Sequence, residues 1–185
     1  MKSNTNAIVL KAIIKQKTAA TLTAIVAAVI LPQLIHLAGI MSGTGKALGE
    51  IFLPMHLPIM LVGFLAGPSV GAIAGVLSPL VSFALTGMPS ALALPFMCIE
   101  LMSYGLFAGL LSKIKMPSIV KVIAVMFAGR AVRILAMLAS IYILGNTKLS
   151  VISFITGITT GIIGMILQLT LIPLALRYVE KRGER

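Results

Sequence analysis

The chain is written as long apolar runs broken by short gaps that carry Gly, Pro or Lys. A helix that crosses a bilayer needs about 20 mostly apolar residues at ~1.5 Å of rise each. By that ruler the runs predict six spans, at about 18–37, 53–67, 70–85, 91–112, 118–144 and 151–178. An interfacial amphipathic start around 8–14 precedes the first. The second and third spans are short, and Gly67-Pro68 separates them with a tight turn, because proline has no backbone donor and biases its predecessor away from helix. Pro58 and Pro79 lie inside apolar runs and should kink or shorten those helices. Irregular backbone at membrane depth is tolerated only against protein or a polar cavity. The expected fold is an all-α integral membrane protein, six transmembrane helices in one compact bundle. A basic N-terminus (1–17), the bundle (18–178) and a basic tail (179–185) make up a single membrane domain.

Composition agrees with the pattern. Of 185 residues, 59% are hydrophobic and only 10% charged, whereas a soluble domain is roughly half apolar and a quarter charged. Met1 to Lys17 followed by 19–31 resembles a signal peptide, but no small-x-small cleavage site and soluble domain follow, so this run reads as a retained first helix. The formal charge of +11 sits beside the spans and implies contact with lipid headgroups rather than nucleic acid. With the N-terminus inside, eleven Lys and Arg fall on the cytoplasmic side and only Lys46 and Lys148 outside, which fits the positive-inside rule and puts both termini in the cytoplasm. The longest outer connection, about 38–52, is Gly-rich and polar. It is either a plain loop or a cover for an outward opening.

Charged groups within the spans are few, which makes each of them informative. Aspartate and tryptophan are absent, and the acids are Glu50, Glu100, Glu180 and Glu184. No phosphate-binding GxxxxGK[ST] loop, GxS nucleophile, HExxH or metal-ligand spacing is present, so no enzyme activity, metal or cofactor is expected. The lone Cys98, among Phe96, Met97 and Ile99, reads as packing. Glu100, Arg130 and Arg133 do lie within spans, where an ionisable group costs at least ~2.5–3.5 kcal/mol and usually pairs or lines a pathway. Glu100 falls ~13 Å, Arg133 ~17 Å and Arg130 ~21 Å from the outer ends of their segments. Arg130 and Arg133, three apart, share a helix face. One of them pairs with Glu100 while the other binds an anion such as a carboxylate, or all three form a structural cluster. His56 is a candidate ligand contact at the outer start of the second span. Glu50 and Lys46 read as solvated loop residues and His36 as a headgroup-level residue. Small residues recur at helical spacing: Ala20, Ala24 and Ala28, then Gly71 and Gly75, Gly105 and Gly109, Gly157 and Gly161. Such stripes permit close helix contact in lipid, inside the bundle for the glycines and either there or against another subunit for the alanines.

The segment LPMHLPIMLVGFLAGPSVGAIAGVLSPL, with Pro58, Gly63, Gly67, Pro68, Gly71 and Gly75 in a P-x-x-x-x-G-x-x-x-G-P run, resembles a recurring segment of the substrate-binding S components of energy-coupling-factor (ECF) vitamin transporters. The TGMP turn, the IELMSYGLFAGLL helix with Glu100 and Gly105, and the alanine stripe extend the resemblance over about 18–177. It implies a six-helix bundle in a bacterial cell membrane that captures a water-soluble vitamin or related molecule in its outer half. It further implies a membrane coupling (T) subunit docked on Ala20, Ala24 and Ala28, and two cytoplasmic ATPases supplying the energy. Glu100, Arg130, Arg133 and His56 are site candidates from the burial argument. Without tryptophan, stacking falls to Tyr104, Phe107, Phe83 or Phe96. The arginines favour an anionic substrate such as pantothenate or nicotinate, and a neutral ring read by Glu100 is the alternative. A self-sufficient secondary transporter or channel, and a ligand-free assembly protein, are the competing classes.

Overall fold

The computed structural model describes residues 2–45, 47–146 and 159–183. Their helices are α1 (Lys2–Met41), α2 (Ala47–Phe52), α3 (His56–Ala66), α4 (Pro68–Thr86), α5 (Leu94–Ser112), α6 (Ser118–Tyr142) and α7 (Ile162–Gly183). The described residues contain no strand. Six stretches are long and apolar enough to span a bilayer, the second being α2 and α3 together, Ala47–Ala66. Large apolar side chains such as Ile30, Leu85, Phe127 and Leu135 point outward, as lipid-facing residues do. Lys46, Lys148, Gly157 and the start of the sixth predicted span lie outside the described residues.

The element boundaries follow local chemistry. Gly67, at φ 97°, supplies the left-handed turn, and Pro68 opens α4, where its missing N–H belongs to the unbonded first turn anyway. Gly87 closes α4 in the left-handed conformation, its N–H donating to the Phe83 carbonyl at 2.8 Å. The expected long loop at 38–52 is different: α1 continues through Pro32 to Met41, and the chain turns back through Gly43 and Gly45 into α2. A Gly-rich stretch reads as loop from propensity alone, but here Gly39 makes room for the Gly45 carbonyl of the turn and Gly49 lets α2 lie on the His36 ring of α1.

The fourth span organises the packing. Helix α5 lies against α3, α4 and α6, and the glycine pairs predicted for internal contact meet there. A Cβ on Gly105 would strike the Gly71 backbone, one on Gly75 the Leu101 carbonyl, and one on Gly109 Pro68. Gly63 likewise faces Gly105. Backbones that approach so closely gain dispersion contacts that lipid tails cannot supply. Around this seam lie Ile59, Met60, Ala74, Leu101, Ala108, Val122 and Val125, all fully buried.

Candidate functional site

At the opposite end of α5 the helices part. Glu100 and Tyr104, four apart, share the face of α5 that looks at α6 and the start of α3, and both are fully buried. Arg133 Nη1 donates to Glu100 Oε2 at 2.5 Å. Arg130 Nε lies 3.4 Å from Glu100 Oε1, and His56 Nε2 lies 3.7 Å from the same oxygen. Arg130 Nε also donates to the Tyr104 hydroxyl at 3.2 Å, and that hydroxyl donates to the Met126 carbonyl at 3.3 Å. The Tyr104 ring fits because Gly129 has no Cβ, and it meets His56 edge to face at 5.1 Å between centroids. Two guanidiniums against one carboxyl group leave at least one excess positive charge, whatever the protonation of Glu100.

His56, Arg130 and Arg133 form the floor of a cavity of about 580 Å³. Its walls come from the second half of α1 (Pro32, Gln33, His36), the start of α3 (Met55, His56), the end of α4 (Ser82) and the connection to α5 (Met88, Pro89, Ser90). Met97, Arg130, Arg133 and Thr160 complete it, with Gly49 and Glu50 of α2 at the rim. In chain order these are the helix ends remote from the basic flanks at Lys11–Lys17, Lys113–Lys121 and Arg177. A cavity of this size suits a small organic ligand.

The expected site residues divide into two sets. His56, Arg130 and Arg133 line the cavity; Glu100 and Tyr104 sit behind them. Arg133 is the closer partner of Glu100. Arg130 is 12% exposed, and among the described residues its terminal NH₂ groups have no protein acceptor. Phe83, Phe96 and Phe107 do not line the cavity: Phe96 packs with Met137, and Phe107 against the main core. Cys98 also lies outside it, half-buried with Sγ 3.7 Å from the Val76 carbonyl.

Sequence reasoning missed Gln33 and Ser82 and placed His36 at the headgroups. His36 packs over Gly49 at the cavity wall, and α1 runs more than a turn beyond it. The usable signal was Gln33 and His36 at i, i+3 beside Pro32 in an otherwise apolar run.

A second hollow, about 560 Å³, runs between α1 and α3 and is lined by Ala20, Thr23, Ala24 and Ala27 with Leu61, Leu65 and Ala66. Ala28 has no exposed surface and packs within the bundle.

A family model described as ECF transporter, substrate-specific component, matches residues 8–176. No curated protein and no solved structure matches.

Proposed function

Because the chain belongs to the substrate-specific components of ECF transporters, we propose that it captures an anionic, water-soluble, vitamin-like molecule in the 580 Å³ cavity and delivers it inward. Members of this family bind transport substrates and are not enzymes. On this reading the protein lies in a bacterial cytoplasmic membrane as one domain with both termini inside, so the cavity, remote from the basic helix ends, faces outward. A T subunit docks in the hollow floored by Ala20 and Ala24, Ala28 holding α1 close behind them. Two ATPases supply the energy for which this chain carries no phosphate loop.

The observation that carries the anion assignment is the division of labour between the arginines. Arg133 makes the shorter contact to Glu100, whereas among the described residues Arg130 hydrogen-bonds through Nε alone while lining the cavity. A guanidinium edge so fixed receives a carboxylate in fork geometry. Tyr104 and Glu100 position Arg130 from behind, and His56 closes the floor.

Mass spectrometry of small molecules released from the purified protein tests this reading. One stoichiometric anionic compound is expected, bound roughly tenfold to a hundredfold more weakly after Arg130→Gln. A neutral compound, or one that Arg130→Gln retains unchanged, overturns the anion assignment.

A further inference from the structure

The anionic floor is not the whole of the recognition surface. Among the described residues, buried side-chain atoms without a hydrogen-bond partner gather around this one cavity: both ring nitrogens of His56 at the floor with Glu100 Oε1 just behind it, and Gln33 Nε2 and His36 Nδ1 on the α1 wall. Buried polar groups are nearly always satisfied, and leaving one unmade is costly. The floor atoms belong to the anion site. The α1 pair does not: among the described residues it takes no part in the ion pairs around Glu100, and it is carried by a different helix.

Its local structure is built for presentation. Gln33 and His36, at i, i+3, share a face of α1. Pro32 precedes them and lines the cavity itself. The His36 ring has its place because Gly49 carries no side chain: a Cβ there would fall 2.8 Å from Nε2. Both residues are half-buried, so the ring and the amide are held rather than solvated.

We infer that Gln33 and His36 form a second recognition pole, and that the substrate is a carboxylate bearing, remote from its charge, a neutral hydrogen-bonding group such as a carbonyl, hydroxyl or ring nitrogen. This rests on the capture reading above and adds the other end of the molecule. The carboxylate lies on Arg130, the chain or ring of the substrate runs along Met55 and Met97, and the neutral group takes the Gln33 amide and the His36 imidazole. A simple alkyl carboxylate leaves the α1 pair unsatisfied and is rejected for that reason, a stronger discrimination than lost apolar contact gives.

The test is a thermal-shift screen of the purified protein against water-soluble carboxylates in two sets. One set carries a neutral carbonyl, hydroxyl or ring nitrogen remote from the carboxylate; the other carries only alkyl or aryl groups there. Stabilising compounds are expected from the first set. Gln33→Leu and His36→Phe should each weaken them by roughly tenfold without changing the melting temperature of the unliganded protein. Gln33→Glu, of the same shape, should shift preference towards compounds whose remote group is a donor, and it serves if His36→Phe does not fold. Stabilisers drawn equally from both sets, or unaffected by the Gln33 variants, overturn the second pole and leave capture standing. No stabiliser in either set overturns the anion assignment together with it.

Discussion

The two halves of α5 solve opposite problems with the same helix. From Leu101 to Gly109 it is locked into α3 and α4 by glycine backbones that leave no room for a side chain of their own. From Leu94 to Glu100 it borders a cavity, and what holds the neighbouring helices there is charge: one carboxyl group between two guanidiniums and an imidazole. Backbone contact tolerates no insertion but needs no partner chemistry. A charge cluster keeps helices apart at side-chain length, which is what leaves room for a ligand. The protein therefore separates a rigid half from a receptive half along one element.

Replacing the carboxylate strains that division most. Glu100→Gln leaves the partly buried Arg130 and Arg133 without their counter-charge; stranding a fully buried charge costs about 3–5 kcal/mol, and the exposure of the arginines puts this variant at or below the lower end. Much less folded protein is expected by size-exclusion chromatography in detergent. Arg133→Gln should cost less, since Arg130 and His56 still face Glu100 at 3.4 and 3.7 Å. The double variant should recover part of the loss. If Glu100→Gln melts like the parent, the cluster does not hold this half together.

A smaller effect compares one methyl group in the two halves. Gly105→Ala drives a Cβ into the Gly71 backbone, which has nowhere to move, and overpacking of this kind costs about 1–3 kcal/mol. Gly49→Ala meets only the His36 ring, which can rotate away. Its unliganded melting temperature should change little, while substrate binding weakens because His36 is displaced. Equal destabilisation by the two would erase the distinction between a locked seam and an adaptable cavity.

How far the sequence reveals this arrangement depends on contrast. Glu100, Arg130 and Arg133 were legible because a charge in an apolar run stands out, and the Gly67-Pro68 turn because its chemistry is local. Which arginine reaches Glu100 was not legible: i, i+3 spacing places both on one face, and only the tilt of α6 against α5 decides. Gln33 and His36 were passed over because uncharged polar residues near a helix end fit the headgroup zone equally well. Helix α2 was hidden because Gly49 and the glycines ahead of it, Gly39, Gly43 and Gly45, argue for a loop when read one by one. The role of Gly49 is to let α2 lie on its neighbour, a property of the partner surface rather than of the segment.

The smallest effect concerns how the receptive half is tied to the rest. Leu53, between α2 and α3, has φ 46°, a left-handed conformation that an L side chain adopts at a cost. Its carbonyl accepts the His56 N–H at 3.1 Å and the Gln168 amide of α7 at 3.4 Å. Gln168 is fully buried, and a turn earlier Gly164 brings α7 against the end of α2 at Phe52. A single amide on α7 thus braces the turn that delivers His56 to the cavity floor. Gln168→Leu removes that hydrogen bond and should cost about 0.5–1.5 kcal/mol, seen as a modest fall in melting temperature, with weaker substrate binding because the start of α3 is less firmly held. Gln168→Glu should recover less than the parent, since a carboxylate oxygen cannot donate to the Leu53 carbonyl. An unchanged melting temperature in Gln168→Leu would mean that the turn is held by its own packing, and the receptive half would then depend on α7 for surface contact alone.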